Sequence, residues 1–255
     1  MRIDLVLKLF VSLYFSYFSP SRLVQYSSKL TWWYFEKVDK DKEWIKTLKN
    51  LESVISSTRK LLRFGKSLDL LQASLRSLHI GDIVFRLTIT LSKITQGLYL
   101  LVDHAIWLSR VGLLKMDAKK LNETAARFWI TTIIMGLTRD VYEILTILNQ
   151  QYKTREKRKM RSQYTNGVAN QTFVTRPTMS HTELFGKFVV ENKPLLLDTA
   201  KNGADLFLPM STLGYIKVSP GFQGVCGIIS SLVGILTVWN SDIYPQNKPR
   251  CKHVS

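Results

Sequence analysis

The run Phe222 to Trp239, FQGVCGIISSLVGILTVW, contains no charged residue. Its 18 residues reach the lower length limit for a helix that crosses a bilayer. Trp239 stands where an interfacial anchor belongs, and the polar tail from Asn240, with Lys248, Arg250 and Lys252, favours a cytosolic C-terminus. Gly227 with Ser231 and Ser230 with Gly234 form two small-xxx-small pairs, a spacing that lets membrane helices approach closely and suggests self-association. Cys226 lies within the run and reads as a small apolar residue. With Cys251 it makes neither a disulfide framework nor a metal spacing.

A second constraint is charge. The formal net charge of +17 requires an anionic partner or surface, either phospholipid or nucleic acid. The uncharged C-terminal run argues against a soluble nucleic-acid binder and for phospholipid. Upstream, Leu51 to Leu68 reads LESVISSTRKLLRFGKSL. On a helical wheel Leu51, Val54, Ile55, Leu61, Leu62 and Leu68 fall within an arc of roughly 140°. The other face carries Arg59, Lys60, Arg63 and Lys66, with Phe64 at the boundary. This is the composition of a helix lying in a membrane interface, its leucines below the headgroups and its basic side chains against anionic lipid. The same pattern also suits a helix that covers a protein core.

The rest of the chain reads as all-α. Met1 to Phe18 is apolar and aromatic but lacks a small-residue cleavage site, so it is expected to stay as a membrane-dipping helix. Arg22 to Phe35 continues in helical fashion and bunches Trp32, Trp33, Tyr34 and Phe35, suited to an interface or to a core anchor. Asp82 to Leu108 is a long apolar helix with one polar stripe, Arg86, Thr90, Lys93, Gly97 and His104, and Gly112 ends it. Asp117 to Asn122 reads as a polar connection. Phe128 to Leu137 is apolar but too short to span a bilayer. Arg139 and Glu143 have the spacing of a local ion pair. Lys153 to Arg161 opens a basic, polar linker running to His181. Ser180 and Glu183 announce a helix from about Leu184 to Leu208, which Pro194 bends or divides.

These boundaries predict an apolar N-terminal segment at 1–21, a helical region at 22–150 and a linker at 151–181. A C-terminal region at 182–255 carries the transmembrane helix at about 222–239. The chemistry-bearing motifs are missing. Gly65-Lys66-Ser67 lacks the glycine that a phosphate-binding loop needs five positions earlier, and it falls mid-helix. There is no nucleophile elbow, zinc-binding H-E-x-x-H or dinucleotide fingerprint. No catalytic residue, metal site or cofactor is expected, and no enzymatic activity.

Several stretches in order resemble the peroxisomal biogenesis factor 11 family. They are Leu51-Glu52-Ser53 with Arg59 to Gly65, Arg86 to Tyr99 running into Asp103 and Trp107, and Arg139 to Ile144. Pro194 to Asp198, Asp205 to Pro209 with Leu213-Gly214, and Pro220-Gly221 leading through Gly224 and Gly227 to Ser230-Ser231 complete the series. The resemblance runs from about Arg22 to Trp239. It implies a helical protein of the peroxisomal membrane that inserts an amphipathic helix, here Leu51 to Leu68, into the cytosolic leaflet to curve and elongate it. It further implies self-association, and action with a dynamin-related fission GTPase and its membrane adaptors. The alternative kept open is a membrane pore or metabolite channel, with the Arg86, Lys93 and His104 stripe along a polar path.

Overall fold

The computed structural model describes residues 2–38, 42–63, 66–166, 186 and 188–239, without the side chains of 2–19, 155, 158–166, 238 and 239. Seven helices are described: α1 (Arg2–Lys37), α2 (Lys42–Leu62), α3 (Lys66–Ser77), α4 (Ile83–Val111), α5 (Ala118–Asn166), α6 (Lys193–Thr212) and α7 (Pro220–Trp239). No strand occurs among the described residues. Neighbours pack in a closed cycle, α1 on α2, α2 on α4, α4 on α5, α5 on α6, α6 on α7 and α7 back on α1, while α3 extends α2 along α4.

Local chemistry explains the helix ends. Asp82 caps α4, its Oδ1 accepting from the amides of Val84 and Phe85 at 2.8 and 3.2 Å. Its Oδ2 accepts from the Tyr142 hydroxyl of α5 at 3.1 Å, beside the edge-to-face pair Phe85–Tyr142. Gly112 closes α4 at φ 89°, a left-handed conformation that glycine adopts without strain. Pro194 divides the C-terminal helical pattern: a helical turn at 188–191 stops at Asn192, and Pro194 sits in the first turn of α6.

Two stretches differ from the sequence reading. Asp117 to Asn122 is the capped start of α5, with the Asp117 side chain accepting from the Lys119 amide at 2.9 Å. The basic run Lys153 to Arg161 is helical as well, because KTREKRKMRSQYTN contains strong helix formers and no glycine or proline before Gly167. The expected capping box at Ser180 and Glu183, Cys251 and the tail from Asn240 lie outside the described residues.

α1 and α7 run antiparallel at very close range. A Cβ placed on Gly221 would lie 2.5 Å from the Trp33 ring, on Gly224 3.0 Å from Leu30, and on Gly227 2.2 Å from the Tyr26 ring. At Gly221 and Gly227 only glycine fits without displacing a ring. The aromatic cluster therefore anchors the fold: Trp33 lies on α7, and Trp32 Nε1 donates to Glu52 of α2 at 2.8 Å. Within α7, Pro220–Thr237 is the one stretch among the described residues long and apolar enough to cross a membrane.

Candidate functional site

The amphipathic segment of α2 and α3 is folded inside out. Leu51, Val54, Leu61, Leu62 and Leu68 are exposed, Leu68 at 67% and Val54 at 61%, with Ile55 intermediate. Arg59 and Arg63 are buried at 8% and 9%, and Lys60 and Lys66 are partly buried. Two expectations are thereby corrected. The segment is two helices, since α2 ends at Leu62 and α3 begins at Lys66; Phe64 and Gly65 lie outside the described residues. The cationic face, expected to meet lipid headgroups, turns inward because a buried carboxylate awaits it.

That carboxylate is Asp103 of α4, 3% exposed. Lys60 Nζ stands 3.0 Å from its Oδ1, and the Arg63 guanidinium binds its Oδ2. Arg63 also donates from Nε to the Arg59 carbonyl at 3.2 Å and from Nη1 to the Tyr99 hydroxyl at 3.3 Å. Arg59 donates to the side-chain amide oxygen of Gln25 on α1. Two further clusters line the same interior. Arg22 of α1 pairs with Asp205 of α6. Arg139 of α5 donates from Nη2 to Asp140 at 2.6 Å and lies 3.8 Å from Asp198, while Asn202 of α6 donates to the fully buried Asp140 at 3.0 Å. Arg139, expected to pair with Glu143, is thus held by these aspartates.

Together these groups surround a cavity of about 510 Å³ to which all seven helices contribute. Its lining holds seven cationic side chains, Arg22, Arg59, Lys60, Arg63, Lys66, Arg139 and Lys201, against three acids, Asp103, Asp198 and Asp205. The crowding of positive charge leaves a mark. Burial, then the like charges of Arg63 and Arg22, lower the Arg59 pKa to about 10. Burial, then Arg63 and Lys201, lower Lys66 to about 8.

The polar stripe expected on α4 does not face this cavity. Lys93 donates to the Ala73 carbonyl of α3 at 3.1 Å, and Gly97 lies beneath Leu71, where a Cβ would come within 3.2 Å. Lys93 and Gly97 of the stripe are covered by α3, and α4 presents Ser92, Gln96, Tyr99 and Asp103 to the cavity instead. The small residues proposed for self-association are likewise taken up internally: Gly227 touches Tyr26, Ser230 and Ser231 are buried, and Gly234 lines the cavity with them. The outward face of α7 is the apolar row Phe222, Val225, Ile229, Leu232 and Leu236. Cys226 is buried, as its apolar setting predicts. Among the described residues no cluster of His, Cys, Asp and Glu could hold a metal ion.

Buried charged side chains together with many large apolar side chains left exposed depart from the usual arrangement of a soluble domain, which hides its large apolar side chains. Comparison with known proteins agrees with a membrane setting. The profile of the Peroxisomal biogenesis factor 11 (PEX11) family matches residues 21–239. Human Peroxisomal membrane protein 11B is 31% identical over 239 residues, covering 88% of this chain and 91% of the relative. Mouse Peroxisomal membrane protein 11A is 35% identical over 219 residues, covering 85% and 86%. The Dictyostelium discoideum Peroxisomal membrane protein 11 homolog is 27% identical over 227 residues. No solved structure matches.

Proposed function

The chain belongs to the peroxisomal biogenesis factor 11 family and is a protein of the peroxisomal membrane, and on that premise we propose that it curves and elongates this membrane ahead of fission. The observation that carries the reading is the outward row Leu51, Val54, Leu61, Leu62 and Leu68, held on helices whose basic side chains are tied inside. Seated at headgroup depth, such a row adds area to one leaflet only, and an area difference between leaflets is relieved by curvature. The ion pairs with Asp103 fix the rotation of α2 about its axis, so the leucines remain outward without the cost of ordering them at the membrane. α7 acts as the spanning anchor. Copies that associate along its outward apolar row concentrate the asymmetry, and the elongated membrane then becomes a substrate for a dynamin-related fission GTPase and its adaptors.

The test is peroxisome shape in cells lacking their own family members. Expression of the chain is expected to lengthen and then multiply peroxisomes, whereas Leu61→Glu with Leu62→Glu is expected to reach the organelle and leave them short. Elongation by the double variant equal to that by the parent would overturn the reading.

A second reading, a route for polar solutes through the helical ring, is favoured by the cavity itself. It predicts conductance in planar bilayers whose ion selectivity shifts when Lys201 is changed to glutamate. An unchanged selectivity in a conducting variant would refute it.

A further inference from the structure

We infer that the central cavity is a binding site for a phosphate-type anion, held by Arg22, Arg59, Lys66 and Lys201 of its lining. Three observations converge on it. First, the lining carries seven cations against three acids, and with Asp140, the buried partner of Arg139, counted as well, three positive charges are left in excess. All three of its acids are already engaged, Asp103 by Lys60 and Arg63, Asp205 by Arg22, and Asp198 by Arg139. An excess of one sign of charge in a partly buried space is costly, and an anion entering it lowers that cost.

Second, two residues of the lining carry a buried donor with nothing to donate to. Arg22 Nε and Ser230 Oγ are buried without a hydrogen-bond partner among the described residues, and both residues line the cavity. Arg22 stands on α1 and Ser230 on α7, the two helices that pack antiparallel through Tyr26 and Gly227. Buried donors are ordinarily satisfied, and a guanidinium beside a hydroxyl is a common setting for a phosphate oxygen.

Third, the like charges are held together by the fold. Arg22, Arg59, Arg63, Lys66 and Lys201 all line the one cavity. Asp103 and Asp205 fix two of these cations, so the cluster is arranged before any ligand arrives. A cavity of about 510 Å³ is roomy for inorganic phosphate and admits a small organic phosphate or a lipid headgroup.

The experiment uses the purified full chain in neutral maltoside micelles and phosphate-free buffer. Pyrophosphate is titrated calorimetrically, and dioctanoyl phosphatidic acid is titrated into the same micelles as the second arm. Saturable binding of pyrophosphate is expected, weakened at least about tenfold by Lys66→Gln with Lys201→Gln. The outward pair Lys42→Gln with Lys46→Gln is expected to bind as the parent does. Binding of the phosphatidate alone, with the same dependence on Lys66 and Lys201, assigns the phosphate to a lipid headgroup. No saturable binding of either probe, or binding equal in the cavity and outward variants, would overturn the site. Circular dichroism and elution volume verify that each variant is folded, and Lys201→Gln alone replaces the pair if it is not. No bilayer is involved, so a failure of membrane elongation would leave this result standing.

Discussion

Replacing Asp103 by asparagine removes the one charge that α4 offers to both Lys60 and Arg63. The carboxylate is 3% exposed and its two partners have side chains 12% and 10% exposed, so water replaces little of what is lost. Removing one member of a buried ion pair typically costs about 3–5 kcal/mol, because the remaining charge stays buried without its counterion. Here Arg63 keeps its bonds to the Tyr99 hydroxyl and the Arg59 carbonyl, and the asparagine oxygen still accepts one hydrogen bond. The expected cost is therefore at the low end, about 3 kcal/mol, or roughly 6–12 °C of melting temperature for a chain of this size. The assay is thermal unfolding of the full chain in micelles, followed by far-ultraviolet circular dichroism. Arg63→Met with Asp103→Leu should cost clearly less than the sum of the two single changes, with a coupling of about 1–3 kcal/mol. A loss below about 2 °C in Asp103→Asn, or additivity in the cycle, would refute the inward-facing arrangement of α2.

Other expectations follow from the packing and the charges. Gly227→Ala puts a methyl 2.2 Å from the root of the buried Tyr26 ring, which cannot yield without moving α1, so a loss of about 1–3 kcal/mol is expected on thermal unfolding; pairing it with Tyr26→Leu should recover part of that loss. Lys66 titrates at about 8 in the folded chain against its usual value near 10.5. Its charge is thus disfavoured by folding, the unfolded chain binds the extra proton between these values, and stability rises as pH increases from about 8 to 10. Lys66→Met should flatten that rise relative to the parent, and an identical pH profile in the two chains would contradict it.

Much of the fold was legible in the sequence. Asp82 and Gly112 bracket α4, Pro194 starts α6, and the uncharged run marks α7, because caps, breakers and composition act within a few residues. The orientation of α2 was not. The leucine arc and the cationic arc are equally clear on a helical wheel, but which one faces inward depends on Asp103, some forty residues away. Asp103 itself carried a usable signal, a carboxylate within the apolar stretch LLVDHAIWL. The α4 stripe misled for a related reason. Periodicity identified polar residues on one face, but α3 covers that face through Lys93 and Gly97, while Gln96, Tyr99 and Asp103 turn to the cavity. The small residues of α7 signalled close helix approach, and within the chain it is α1 that approaches, at Gly221, Gly224 and Gly227. The long reach of α5 through its basic run was obscured because charge runs are more often solvated linkers than helices.

If the outward leucines of α2 and α3 deform membrane, as proposed, the purified full chain reconstituted with vesicles containing anionic phospholipid changes their shape, which electron microscopy follows. The parent chain is predicted to draw the vesicles into tubules, and Leu61→Glu with Leu62→Glu to leave them round while the Lys60, Arg63 and Asp103 cluster and the helical content persist. Each half-exposed leucine contributes about 1 kcal/mol of apolar burial on insertion, and a glutamate at the same depth opposes it. Tubules of equal number and width from the parent and the double variant would contradict the account.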